Sequence, residues 1–186
     1  MLLFRKIDES RWFERGLLES ASVTDLDTSD NELSVWMQKD DVADIDLGLA
    51  FILTQRCFKN ICCVKIPDER LEAAGLKTRQ QDGDTAYVAM RPYHTNIVVP
   101  TVKELALLSE IIYELVHGND DNWKFFSETE LKIHFYEVLQ KDEIFIDFND
   151  RANQAKWDAL QTVQKTLGKI DFTKLKNAVP REEKKK

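Results

Sequence analysis

The sequence predicts an α+β or α/β fold, in which a small mixed sheet with packed helices is followed by a helical C-terminal extension. Short β-prone apolar runs alternate with helical patterns up to residue 117, whereas only helical patterns follow. The 186 residues are 43% hydrophobic, which is enough for one buried core. We therefore expect a mixed core over residues 1–118, a helical extension packed on it over 119–180, and a disordered tail over 181–186.

Four short segments have the composition of strands: residues 2–7, 33–37, 61–66 and 85–90. Residues 33–37 begin with alternating apolar and polar side chains, which indicates a strand with one solvent-facing side. Residues 61–66 form a continuous β-prone run that is typical of a central strand covered on both faces.

Two helices are predicted in the first half of the chain. Residues 41–55 are apolar nearly all round a helical wheel, with Asp41 as the N-cap, so this helix is expected between layers. Pro67 and Gly75 bound a shorter helix, because proline suits a first helical turn and glycine suits the left-handed residue after a last one.

Two capping boxes predict the starts of the most regular helices. Thr101 with Glu104, and Ser127 with Glu130, have the spacing in which hydroxyl and carboxylate satisfy exposed backbone amides. The first helix is expected to end at about Val116 or His117, closed by Gly118, and the second continues past residue 138. A third helix over 151–167 completes the predicted extension. The first helix has this apolar stripe: Val102, Leu105, Leu108, Ile112, Leu115 and Val116.

The cysteines and the hydropathy pattern predict a cytoplasmic protein without membrane segments. Cys57, Cys62 and Cys63 are odd in number and do not suit a disulfide framework. The longest apolar run has seven residues, 47–53, against about 20 for a bilayer. Arg5 and Lys6 stand where the apolar part of a secretory signal would be. Neighbouring cysteines in a strand point to opposite faces, so we expect no metal site and no cofactor.

The charge is distributed unevenly along the chain. The net charge of −7 combines −12 from residues 1–149 with +5 from residues 150–186. Residues 25–46 alone contribute −7, from eight acids and one lysine. An acidic surface repels phosphate backbones, so nucleic acid binding is not expected except through the basic C-terminal segment.

This asymmetry leads to the main functional hypothesis, a non-enzymatic protein-interaction module that binds a basic protein partner through an acidic face. A regulatory protein or a toxin-neutralising partner, of the immunity or antitoxin kind, would fit this description. Common nucleotide-binding, hydrolase and metalloprotease motifs are absent, which agrees with a role without catalysis. The residues expected at the interface are Asp25, Asp27, Asp30, Glu32, Asp40 and Asp41.

The alternative hypothesis is a small enzyme or ligand-binding domain. Arg91, Tyr93 and His94 bring a guanidinium, a phenol and an imidazole into one loop after a predicted strand, where open-sheet proteins place functional groups. Such a set would suit a phosphate or carboxylate ligand. A pocket joining these three side chains would favour this alternative.

Overall fold

The computed structural model describes residues 1–13, 20–26, 30–54 and 58–141, together with residues 146 and 165. It confirms the α+β fold as one six-stranded antiparallel sheet with helices. The strand order is β4-β5-β2-β1-β3-β6. These strands are β1 (Leu2–Ile7), β2 (Glu32–Gln38), β3 (Ile61–Pro67), β4 (Lys77–Gln80), β5 (His94–Val98) and β6 (Trp123–Phe126).

Six α-helices occur among the described residues, and two short 3-10 helices cover Val88–Tyr93 and Asp120–Asn122. Helix α5 is the longest, with 17 residues. The α-helices are α1 (Glu9–Trp12), α2 (Ser20–Asp25), α3 (Asp44–Ile52), α4 (Asp68–Ala73), α5 (Val102–Gly118) and α6 (Glu128–Leu139).

The chain divides into two compact units, each assembled from separate stretches of sequence. Unit 1 comprises Met1–Val42, Cys62–Gly83 and Pro92–Lys124. Unit 2 comprises Ala43–Ile61, Asp84–Arg91 and the described part of Phe125–Lys186. The expected helical extension over 119–180 falls largely outside the described residues, so its boundary stays a prediction.

The core of unit 1 lies on one face of the sheet. In the antiparallel register Leu3 of β1 stands opposite Met37 of β2 and Ile66 of β3, so these side chains share a face. Helix α5 covers that face with Leu108 and Ile112, which are fully buried. The other buried members include Val35, Val64, Leu71, Ile97, Leu115 and Val116.

Unit 2 has α3 and α6 as its main helices. The expectation that α3 is apolar nearly all round is borne out, since residues 47–52 are all buried. A Cβ on Gly48 would lie 3.0 Å from the ring of Phe126 and 3.2 Å from Leu131 Cδ2, so glycine permits close contact there. The rings of Phe58 and Phe135 lie 5.4 Å apart.

The predicted helix starts agree with the structure, with one difference in mechanism. Ser127 forms the complete capping box with Glu130. Helix α5 starts at Val102 as expected, but the hydroxyl of Thr101 contacts the carboxylate of Glu104 instead of capping a backbone amide. Helix α3 starts at Asp44, three residues after the expected N-cap.

One expected strand is absent, and two observed strands, β4 and β6, were not expected. Strand β6 lies after residue 117, where only helices were predicted. The segment expected as a strand over 85–90 instead has a single bridge residue, Tyr87, and enters the 3-10 helix Val88–Tyr93. Strand β4 was not expected, because all four of its residues are exposed and no apolar alternation marks it. The predicted helix over 151–167, the tail over 181–186, Asp27 and Cys57 all lie outside the described residues. Within the described part of the chain, no helix has the length and apolar character needed to cross a membrane.

The packing of α5 gives a stability prediction. Leu108 is fully buried, so Leu108→Ala is expected to lower the free energy of unfolding by about 2–5 kcal/mol through lost burial and a residual cavity. Val102, on the same helix, is 83% exposed, so Val102→Ala is expected to stay within about 0.5 kcal/mol of the wild type. Urea denaturation followed by circular dichroism measures both. Equal midpoints for the two variants would contradict the packing of α5.

Candidate interaction site

Strand β2 divides the acidic segment over residues 25–46 into two parts. Seven residues of extended chain separate the acids that precede the strand from Asp40 and Asp41, which follow it. At about 3.4 Å per residue the two ends of β2 are about 20 Å apart. The described acids expected at one interface, Asp25, Asp30, Glu32, Asp40 and Asp41, therefore do not form one continuous face.

The carboxylate of Asp25 is fixed by hydrogen bonds from other residues of unit 1. Its Oδ2 accepts hydrogen bonds from the backbone amide of Asp8 and from the indole Nε1 of Trp12, both at 2.8 Å. Trp12 itself is buried. The backbone carbonyl of Asp25 also accepts a hydrogen bond from the guanidinium of Arg5 at 3.4 Å. Burial lowers the pKa of Arg5, although the charge of Asp25 opposes that shift.

Glu32 and Asp30 lie at the start of β2. The carboxylate of Glu32 pairs with Arg79 and accepts a hydrogen bond from Asn96 Nδ2 at 2.7 Å, and only 11% of the Glu32 side chain is exposed. Asp30 is exposed and has a φ of 55°, followed by Asn31 at 62°. Aspartate and asparagine tolerate this left-handed conformation, so the pair forms the turn that leads into β2.

Asp41 is exposed and contacts Tyr93. The loop expected to carry Arg91, Tyr93 and His94 is instead the end of the 3-10 helix Val88–Tyr93 and the start of β5. Asp41 Oδ2 accepts a hydrogen bond from the hydroxyl of Tyr93 at 2.9 Å. This hydrogen bond raises the pKa of Tyr93 because it favours the protonated phenol. The Nζ of Lys39 lies 5.2 Å from the centre of the Tyr93 ring. The structure thus brings together one residue from each functional hypothesis.

Asp40 lines an open groove at the end of β2, which we call the Asp40 groove. Its volume is about 510 Å³. Glu69, from the first turn of α4, contributes a second carboxylate. Among the described residues, neither carboxylate has a hydrogen bond or an ion-pair partner. The lining residues all belong to unit 1: Met1, Leu2, Gln38, Lys39, Asp40, Val42 and Glu69.

The side chains of the alternative hypothesis bind to groups within the chain. Arg91 Nε donates to the carbonyl of Thr85 at 2.9 Å, within unit 2. In unit 1, His94 Nδ1 lies 2.8 Å from the carbonyl of Gln81, and its ring meets Trp36 edge-on at 5.1 Å. None of Arg91, Tyr93 and His94 lines the Asp40 groove.

At Gly83 the chain passes close to the side chains of Trp36 and His94. A Cβ at Gly83 would lie 2.7 Å from Trp36 Cη2 and 2.9 Å from the Cβ of His94. Both distances are shorter than real side chains allow, so this position requires glycine.

A partly buried polar cluster in unit 2 was not expected from the sequence. His134 Nε2 lies 2.6 Å from Asp46 Oδ1, and the hydroxyl of Tyr87 donates to the same oxygen at 3.0 Å. Glu137 Oε2 lies 3.8 Å from the other ring nitrogen of His134. Burial by itself would raise the pKa of Asp46, but the interactions with His134 and Tyr87 leave it lowered. The cluster joins α3, α6 and the segment that carries Tyr87.

The described cysteines behave as core residues. Cys62 and Cys63 are buried and are not disulfide-bonded. Burial, with a smaller contribution from the charge of Glu9, raises the pKa of Cys62 to about 12, so its thiol stays protonated at neutral pH. Within the ranges that the structure covers, no group of three or more histidine, cysteine, aspartate or glutamate side chains is arranged to hold a metal ion.

Comparison with known proteins identifies no similar protein. No protein-family model matches this chain, and no match was found among curated proteins or among solved structures.

The different surroundings of the acids give a second prediction. Asp25→Ala removes the acceptor of the buried Trp12 indole and is expected to lower the free energy of unfolding by about 1–3 kcal/mol. Asp40→Ala removes an exposed carboxylate without a partner and is expected to change it by less than about 0.5 kcal/mol. Chemical denaturation of both variants checks this contrast. A destabilised Asp40→Ala variant would show that Asp40 has a structural role as well.

The lowered pKa of Asp46 gives a pH prediction. Because the folded-state pKa lies below the ordinary 3.8, the charged carboxylate stabilises the folded chain above pH 3.8, and this stabilisation is lost as the pH falls through the lower value. Asp46→Asn is therefore expected to cost about 1–3 kcal/mol at pH 7, and less as the pH falls below 3.8. Urea denaturation at a series of pH values measures the difference. A difference that is constant from pH 7 to pH 2.5 would contradict the assignment.

Proposed function

We propose that this chain is a non-enzymatic protein-interaction module, and that it binds a basic protein partner at the Asp40 groove and its rim. One observation carries the proposal: Asp40, in the turn after β2, and Glu69 of α4 line the same groove, and neither has an ion-pair partner among the described residues. Asp41 adds a third exposed carboxylate beside it. A regulatory or toxin-neutralising role remains the class of function that we propose.

The charge of the whole chain supports the same type of partner. Residues 1–149 carry a formal charge of −12, which attracts a basic protein over distances longer than a contact and raises the rate of encounter. The same charge repels nucleic acid. The basic segment over 150–186 lies almost entirely outside the described residues. Nucleic acid binding through this segment therefore stays a prediction.

The proposed interface contains fewer of the acids of residues 25–46 than the sequence predicted. Asp25 and Glu32 are excluded from it because their carboxylates already bind groups of unit 1. Asp30 is exposed but lies at the opposite end of β2 from the groove. We favour binding over the enzyme alternative, because Arg91 and His94 contact backbone carbonyls and the Tyr93 hydroxyl donates to Asp41. We also retain the cytoplasm as the proposed location, on the grounds of the cysteine content.

The test uses two double variants that remove the same amount of charge. D40N/E69Q neutralises the groove, whereas D30N/E72Q neutralises exposed acids at the other end of β2 and further along α4. The immobilised full chain and both variants are used to capture proteins from a lysate of the native source, and captured proteins are identified and purified. Surface plasmon resonance then measures binding to each variant at about 50 mM and 500 mM salt.

We expect D40N/E69Q to weaken binding about tenfold, mainly through slower association, because exposed charges act on encounter. Raised salt is expected to weaken the wild type in the same way, because the Debye length shortens from about 14 Å to about 4 Å. D30N/E72Q is expected to bind nearly as the wild type does. Partner binding that responds equally to both double variants, or to neither, would contradict the proposal.

A further inference from the structure

We infer that the Asp40 groove receives one long cationic side chain of the partner, a lysine or an arginine, with its stem on the apolar part of the groove and its charge between Asp40 and Glu69. This inference rests on the proposed function and specifies the group that the groove recognises.

The lining of the groove has two kinds of surface. Leu2 and Val42 are apolar, and Val42 is 93% covered already, while Met1 is about half exposed. Asp40 and Glu69 supply the negative charge. Lysine and arginine side chains have the matching structure, because their methylene stems lie on apolar surface while their charged ends bind carboxylates.

The lining also contains two positive groups, the Lys39 ammonium and the α-amino group of Met1, and no ion pair joins either of them to Asp40 or Glu69 among the described residues. Lys39 directs its ammonium group to the ring of Tyr93, whose hydroxyl is fixed by Asp41. Asp40 and Glu69 therefore have no ion-pair partner among the described residues, so both carboxylates can pair with a basic side chain of the partner.

Backbone hydrogen bonds fix the chain segments around the groove in the absence of a partner. Leu2 of β1 is paired in the sheet with Gln38 of β2 on one side and with Pro67 of β3 on the other. The amide of Asp68, at the start of α4, donates to the carbonyl of Met1 at 3.0 Å. Because these pairings fix the chain segments that carry the carboxylates, binding loses little conformational entropy in the protein.

The volume of the groove is consistent with a small group. About 510 Å³ lies within the range of sites for small ligands and is far below the space that a folded domain would occupy. One side chain that projects from an extended segment fits this space. The rest of the partner would contact the rim, where Asp41 lies.

The test titrates the isotopically labelled full chain with three capped amino acids in low salt, followed by amide chemical shifts. The probes are the Nα-acetyl methylamides of lysine, arginine and norleucine. Norleucine has the aliphatic stem of lysine without the charge, so it separates the contribution of the cation. D40N/E69Q and D30N/E72Q serve as the groove variant and its charge-matched control.

We expect the lysine or the arginine probe to shift the amides of Leu2, Gln38, Val42 and Glu69, with the stronger of the two identifying the preferred cation. The norleucine probe is expected to bind about tenfold more weakly, and D40N/E69Q is expected to weaken the cationic probes by a similar factor. D30N/E72Q should leave their binding unchanged. Equal binding of norleucine, or shifts spread over the surface without the groove amides, would overturn the inference.

The two proposals fail in different ways. If the captured partner depends on Asp40 and Glu69 but neither cationic probe shifts the groove amides, the inference is overturned and the proposed function stands. If the probes bind at the groove but D40N/E69Q binds the captured partner as the wild type does, the groove is a cation site and the proposed function is overturned.

Discussion

The double pairing of β1 is the constraint on which most of unit 1 depends. Residues 2–4 of β1 pair with β2 on one side and with β3 on the other, so they fix the register of both strands. Leu3, Met37 and Ile66 therefore share one face. The same register sets where β2 ends and where α4 begins. One set of backbone hydrogen bonds therefore produces both the surface that α5 covers and the arrangement of the Asp40 groove. A slip of one residue would move every core side chain of the strand to the other face.

The acids of unit 1 divide into two groups that differ in surroundings and not in chemistry. Asp25 and Glu32 each accept hydrogen bonds from neighbouring groups, and Glu32 also pairs with an arginine. Asp40 and Glu69 have no such partner in the described part of the chain. Carboxylates of the first kind contribute to the fold, because their loss would leave buried donors unsatisfied. Carboxylates of the second kind contribute little to the fold, so they are available for recognition.

The sequence predicts local features well and distant contacts poorly. The capping box at Ser127 was predictable because all its atoms lie within four residues. The positions of Asp25 and Asp40 were not distinguishable, because the partners of Asp25 lie 13 and 17 residues away. The contact of His134 with Asp46 spans 88 residues and has no sequence signal. Strand β4 lacks apolar residues, so only its pairing with β5 identifies it as a strand.

Strand β4 has a further consequence for the molecule in a crowded solution. It is an outer strand of the sheet, with unpaired backbone groups along one side, and such edges recruit strands from other molecules into aggregates. The strand has only four residues, and Lys77 and Arg79 place two long, hydrated side chains on it. A foreign strand would gain few hydrogen bonds there and would have to displace both side chains. The short length and the two charged side chains of β4 thereby disfavour self-association through this edge at high concentration.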